Sequence, residues 1–334
     1  MTIVVAGVAA TMPDASDGAT GKPRIAISSC LLGNEVRYDG NHKRSQFLCS
    51  ALAPFVEWVP VCPEVGIGLG VPRPALRLAD DGGGTRLVER RSGEDHTERM
   101  LAWARAKARA FAKLDLDGVV LRSKSPNCGP SRVHVFLGER TTPRMGEGLF
   151  AGVVRKALPG VPISEDGWLH DPGLRDAFLA QVFTLHRLRR SLAEGAGGLL
   201  QFHGAHDLLY LAHCPSRRRT LCRLAKHTPA PWPVAAMTYR VAAMAALGVP
   251  SSPDKHAFVM ERVLALVEPS LAEGDRQEIL DAIADLRAGL HGVAAPRALL
   301  AHQLRHHGMS GWLAKQAYWE PYPRAIAAKA SRSG

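Results

Sequence analysis

Residues 24–30 read RIAISSC, and the same design recurs at 56–62, VEWVPVC, and at 116–123, LDGVVLRS. Each is a short apolar run followed by a stretch of turn formers: LLGNEVRYDGNHKR, PEVGIGLGVPRP and KSPNCGPSR. Runs of this length bounded by Gly, Pro and Asn read as buried strands. Helical stretches lie between and after them, at Ser45–Ala53, at 97–113 (TERMLAWARAKARAFAK) and at Glu147–Ala157, before a last short run, VPIS, at 161–164. Strands that alternate with helices build a parallel sheet covered on both faces. Residues 23–165 are therefore expected to form a small doubly wound α/β domain. The stretch 1–22 begins MTIVVAGVAATMPDASDG, has no basic residue ahead of its apolar run, and reads as a loose tail, not a secretory signal.

The second half changes character. HDPGLRDAFLAQVFTLHRLRRSLAEG at 170–195 carries Asp171 as N-cap, Pro172 at the first helical position and a terminal Gly. Helical blocks follow near 198–213, 217–226, 234–247, 254–267, 275–290 and 297–306, with no strand among them. Residues 166–334 are expected to be an all-α domain that ends in YWEPYPR.

The chain has 334 residues, 46% hydrophobic and 22% charged, which excludes disordered, collagen-like and disulfide-scaffold classes. Forty-two Lys and Arg against 31 Asp and Glu give a net charge of +11, which favours an anionic partner such as nucleic acid. No apolar run reaches the length of a membrane span. Six Cys are too few for a disulfide framework. Without an export signal a cytoplasmic location is expected, where a chosen Cys serves as ligand or nucleophile.

Cys30 and Cys62 end two of the strand runs, and Cys128 sits in the loop after the third. Sites in parallel sheets form at the carboxyl ends of strands, so three cysteines far apart in sequence can meet in one crevice. Three converging thiolates suit zinc with an open fourth position, or a [4Fe-4S] cluster with one iron lacking a protein thiolate. Three buried thiols without metal is the competing reading. Cys49 falls inside a helical stretch and reads as a structural thiol; Cys214 and Cys222 belong to the helical half.

SSCLLG, YDG, VCPE with its following VPRP, and KSPNCGP resemble, in that order, the thiouracil desulfidase (TudS-like) family, across about residues 23–165. QFHGAHDLLYLAHCPSRRR and AYWEPYPR resemble the YbgA-type domain. The fusion is similar to the tRNA 4-thiouridine desulfidases. The resemblance implies a [4Fe-4S] cluster held by Cys30, Cys62 and Cys128, with Glu64 and Ser125 as acid/base groups. It implies tRNA as substrate, with free thiouracil as a second one, and hydrolysis to uridine or uracil and sulfide. The family's Gln-Leu-Gly-Gly-like loop after CPE is VGIGLG here. Glu57 is a lower-ranked base, Asp39 reads as a turn cap, and Arg73 as a phosphate or base contact or an internal ion pair.

The basic balance and the resemblance together point to RNA held by Arg217, Arg218, Arg219, Arg189 and Arg190, with further cations on the helix at 97–113. His203, His206 and His213 share one helix and read as structural or RNA-contacting side chains. Two alternatives stand beside this. One is a non-catalytic RNA-binding module with structural zinc on the three Cys, for which His134 is the nearest fourth ligand. The other is tRNA thiolation, which needs ATP; neither an SGGxDS-like pyrophosphate loop nor GxxxxGK[ST] is found.

Overall fold

The computed structural model describes residues 21–137, 144–227, 231–307 and 311–330. The tail expected at 1–22 lies outside these residues except for its last two.

Among the described residues eight strands form two sheets: β1 (Arg24–Ser28), β2 (Glu57–Val61), β3 (Leu76–Asp80), β4 (Thr85–Glu89), β5 (Gly118–Leu121), β6 (Val133–Phe136), β7 (Arg144–Gly146) and β8 (Ile163–Glu165). The first sheet has the order β2-β1-β5-β8, and every pairing in it is parallel. Its central strands are buried at every position, as apolar strands covered on both faces must be. The helices of this half are α1 (Pro63–Gly66), α2 (Thr97–Ala112) and α3 (Leu149–Ala157) among the described residues. One face of the sheet, through Ala26, Val119 and Leu121, packs on Ala104 and Phe111 of α2 and Phe150 and Val154 of α3.

The opposite face, through Ile25, Ile27 and Val120, is covered largely from the second half of the chain. That half supplies α4 (Pro172–Ala193), α5 (Gly195–His213), α6 (Pro215–Lys226), α7 (Trp232–Leu247), α8 (Pro253–Val267), α9 (Glu273–Arg287), α10 (Ala294–His306) and α11 (Arg324–Ala330). Phe178, Leu179 and Val182 of α4, with Tyr322 and Ile326 from the chain's end, share one apolar core with the sheet and with Leu48 and Leu52. Asp171 caps α4 as expected, accepting from the Leu174 N–H at 2.9 Å. The stretch read as a helix at Ser45–Ala53 is a π-type turn, Phe47–Leu52. No helix among the described residues is long and apolar enough to cross a membrane.

The second sheet, order β4-β3-β6-β7, is not foreshadowed by the sequence patterns above. Its strands are three to five residues long. Leu76, Leu78 and Leu87, with Val133 and Val135 of β6, bury one face against Ile67 and Met100.

The three expected helical histidines, His203, His206 and His213, are core groups, and His256 of α8 is a further one. His203 Nδ1 lies 3.0 Å from the Tyr239 hydroxyl, and His206 Nδ1 lies 2.8 Å from the Phe202 carbonyl. His256 Nδ1 sits 3.1 Å from the Tyr318 hydroxyl. Burial, then the charges of Arg187 and Arg297 respectively, hold His206 and His256 down at about 3. An unfolded histidine titrates near ~6.5, so acid protonates the unfolded chain first and draws the equilibrium toward it. Stability is therefore full above that value and lost as the pH falls toward about 3. Urea unfolding at pH 7 and pH 5, a window in which most carboxylates stay ionised, should show a loss of about 2 kcal/mol for each of these two histidines. An unchanged midpoint would show that they are hydrated in the native state.

Candidate metal centre and substrate cavity

Register brings the expected cysteines together. Ser28 of β1 pairs with Val61 of β2, so Cys30 and Cys62 leave the sheet side by side. β5 runs beside β1 with Ile27 opposite Val120, and its following loop carries Cys128 back to the same edge. All three cysteines line one cavity of about 270 Å³. Its wall also includes Glu64, Arg73, Arg122 and Ser125. Cys49 is not in that wall; its thiol lies 3.5 Å from the Leu31 carbonyl.

The loop geometry depends on close backbone approach. A Cβ on Gly129 would sit 2.8 Å from the Ser125 carbonyl and 2.4 Å from Val133. The Gly129 N–H donates to that carbonyl at 2.9 Å, closing the turn that aims Cys128 inward. A Cβ on Gly66 would overlap the Trp103 ring at 2.2 Å, so the Gly after VCPE lets α1 lie against α2. Lys124 holds φ at +58°, a strained conformation for a side-chain-bearing residue at the cavity rim.

The thiols are not activated nucleophiles. Burial, then the charge of Cys62, pushes the Cys30 thiol up to about 11. Burial raises Cys62, and raises Cys128 well beyond the ordinary thiol value. A nucleophilic cysteine needs the opposite shift. Such thiols lose their protons when a metal centre replaces them. The donor set therefore fits a bound metal centre.

The three sulfurs are near enough for their charges to act on one another.

Glu64 is the carboxylate of the cavity. Arg73 donates to its Oε2 from Nε at 2.9 Å and from Nη2 at 2.5 Å, and the Asn127 amide donates to Oε1 at 3.0 Å. Arg73 also donates to the Val36 carbonyl at 2.8 Å, which ties the YDG loop to the VCPE loop. The side chain of Arg73 is only 4% exposed and that of Glu64 15%. Ser125 Oγ accepts from the Cys128 N–H at 3.1 Å and the Asn127 N–H at 3.3 Å. Its own hydrogen remains as a donor. Glu57 stands at the other end of β2, paired with Arg24 at 3.2 Å. Asp39 pairs with Arg37 and accepts from the Asn41 N–H in an exposed turn. Asn127, fully buried, carries no signal of its own in the sequence although it lies inside the SPNC motif.

The five arginines expected to meet RNA divide. Arg189 binds Asp115 at 2.7 Å and Asp117 at 3.2 Å, on the α/β half. Arg218 grips Asp207 with two bonds, at 2.7 and 2.6 Å. Arg190, Arg217 and Arg219 are exposed, and among the described residues no carboxylate pairs with them.

Comparison with known proteins matches both halves. The profile of the family described as 2-thiouracil desulfurase covers residues 25–166, and that of a family of unknown function, DUF1722, covers 208–323. Protein YbbK of Bacillus subtilis (strain 168), uncharacterized, is 33% identical over 155 residues, which are 44% of this chain and 98% of YbbK. Protein YbgA of Escherichia coli (strain K12), also uncharacterized, is 28% identical over 155 residues, 45% of this chain and 91% of YbgA. The solved structure of the [4Fe-4S]-dependent thiouracil desulfidase TudS shares 29% identity, covers 44% of this chain and 93% of its own, and superposes with a TM-score of 0.37.

Replacing Cys30, Cys62 or Cys128 by Ala should each abolish iron retention after anaerobic reconstitution, measured as iron and sulfide per chain. Cys49→Ala should retain both. Loss of iron in Cys49→Ala alone would overturn the ligand assignment.

Proposed function

Residues 25–166 of this chain belong to the 2-thiouracil desulfurase family, and from that membership we propose that it is an iron–sulfur-dependent desulfidase acting on 4-thiouridine in tRNA and on free thiouracil. The observation that carries the reading is the single cavity holding three raised thiols beside an anchored carboxylate. Cys30, Cys62 and Cys128 would hold a [4Fe-4S] cluster. When bound, it supplies Lewis acidity toward the thiocarbonyl sulfur.

The chain's own groups do the rest. Glu64 takes the proton of the water that attacks the carbon. Arg73 and Asn127 fix its two oxygens and limit its rotation, so the base meets the water in one orientation. Ser125, its oxygen already engaged by two backbone N–H groups, donates its hydrogen to the base ring or relays a proton. Water adds across the thiocarbonyl carbon, the C–S bond breaks, and sulfur leaves as sulfide. No electron is gained or lost, so no reductant enters. The α/β domain, 23–165, carries the chemistry, and the helical domain, 166–334, holds the tRNA with Arg190, Arg217 and Arg219. Arg189 and Arg218, held by Asp115, Asp117 and Asp207, brace the helices beside them.

The test is an anaerobic assay of cluster-loaded protein on 4-thiouridine-containing tRNA and on 2-thiouracil. Loss of thiocarbonyl absorbance with stoichiometric sulfide is expected. Glu64→Gln, with normal iron content, should slow turnover by about 10²–10⁴-fold, the usual contribution of a general base. Absence of sulfide from iron-loaded protein on both substrates would overturn the reading.

Removing Arg217 and Arg219 together should weaken tRNA binding. The salt slope should fall by roughly 0.7–0.9 for each phosphate that is no longer neutralised. Filter binding across a salt series measures both. An unchanged slope would place tRNA elsewhere.

A further inference from the structure

Two further cavities adjoin the cysteine cavity. One, of about 130 Å³, shares Leu76, Arg90, Lys124 and Pro126 with it and adds Arg77, Arg132, His134 and Phe136. The other, of about 310 Å³, shares Arg122 and adds Lys43, Arg44, Phe47 and Arg175. The acids in the three linings are already engaged: Glu64 with Arg73, and Asp166 with Arg122. Lys43, Arg44, Arg90 and Arg132 are exposed.

Each cavity also contains one aromatic ring with a guanidinium over it. Arg37 lies 5.3 Å from the Tyr38 ring in the cysteine cavity. Arg77 lies 5.6 Å from Phe136 on one side, and Arg175 lies 5.4 Å from Phe47 on the other. Tyr38 is 43% exposed, a ring presented to solvent at the mouth of the site. Aromatic rings interleaved with cations along a groove are what a single nucleic-acid strand requires: rings for bases, cations for phosphates. A lone nucleobase, which carries no phosphate, needs neither flank.

We infer that these three cavities form one continuous track for a single-stranded RNA segment. The target nucleotide enters the cysteine cavity, and the nucleotides before and after it rest in the two basic flanks. The base must then be unstacked from its neighbours, as in enzymes that work on an extruded base. The α/β half, joined by Arg175 of α4, thus meets the strand around the target, and none of the arginines of α6 lines these cavities. Identification of the reacting base rests on the desulfidase reading; the strand track does not.

The experiment is fluorescence anisotropy of a labelled oligouridylate on the full-length protein, across a salt series. Two double variants take exposed residues, one in each flank: Lys43→Ala with Arg44→Ala, and Arg90→Ala with Arg132→Ala. Iron content and far-ultraviolet dichroism serve as controls for folding. Each pair should weaken binding by about tenfold and reduce the salt slope by about 1.4, two single-strand phosphate contacts. Wild-type affinity and slope in both variants would overturn the track. Equal affinity for a blunt duplex would overturn it as well. If binding depends on both flanks yet the wild-type protein releases no sulfide from thiolated RNA, the track stands and the desulfidase reading fails. If sulfide is released and neither flank matters for binding, the desulfidase reading stands and the track fails.

Discussion

Parallel strands cannot be joined by hairpins, and this constraint organises the molecule. Each crossover returns the chain to the same edge, so every carboxyl end of the four-stranded sheet faces one way. The ladder satisfies the backbone of β1 and β5, which are buried along their whole length. The loops beyond them must find other partners, and they find side chains. Ser125 takes two N–H groups of its own loop, and Ser28 Oγ accepts the Arg122 N–H at 2.9 Å. Arg73 holds two carbonyls. Side chains that satisfy the loops therefore also line the cavity. The scaffold and the site are made by the same bonds.

Gathering groups in this way has an energetic cost. Burial raises all three thiols, the charge of Cys62 adds to the rise at Cys30 and Cys128, and a nearly buried ion pair has given up most of its hydration. A buried pair is weak evidence for stability, since desolvation offsets much of the attraction. What Arg73 contributes is orientation: with two bonds on one oxygen of Glu64 and Asn127 on the other, the carboxylate has one direction in which to act. A solvated loop glutamate would sample many.

The legible parts of the sequence were those governed by local rules. The central strands announce themselves as apolar runs closed by turn formers, and α4 by its Asp171 cap and Pro172. The β3–β4 hairpin is quieter. LRLAD alternates over only its first three residues, TRLVE does not alternate at all, and the Gly-rich segments around them dominate the reading. Their burial comes from Met100 and Val135, which lie far away in sequence. The same limit hid Asn127, whose partner Glu64 is 63 residues distant. It also hid the fates of Arg189 and Arg218. An arginine in a basic run looks like a phosphate contact until the fold reveals the aspartate beside it.

Long-range pairing of this kind also joins the two halves. Asp166 follows the last strand of the sheet and begins the connection to α4. One of its oxygens accepts the Ser123 N–H at 2.7 Å, and the other pairs with Arg122. Both partners line the cysteine cavity. Farther on, Arg187 of α4 donates to the Pro321 carbonyl at 2.9 Å, while Tyr322 bonds Asp176 and packs in the core that covers the sheet. The first and last segments of the helical half are thus both fixed to the α/β half, and one of them through a residue that shapes the cavity wall. A short, hydrogen-bonded connection therefore fixes the start of the helical half beside the cysteine cavity, and any movement of α4 is felt first by Arg122 and Ser123 in its wall.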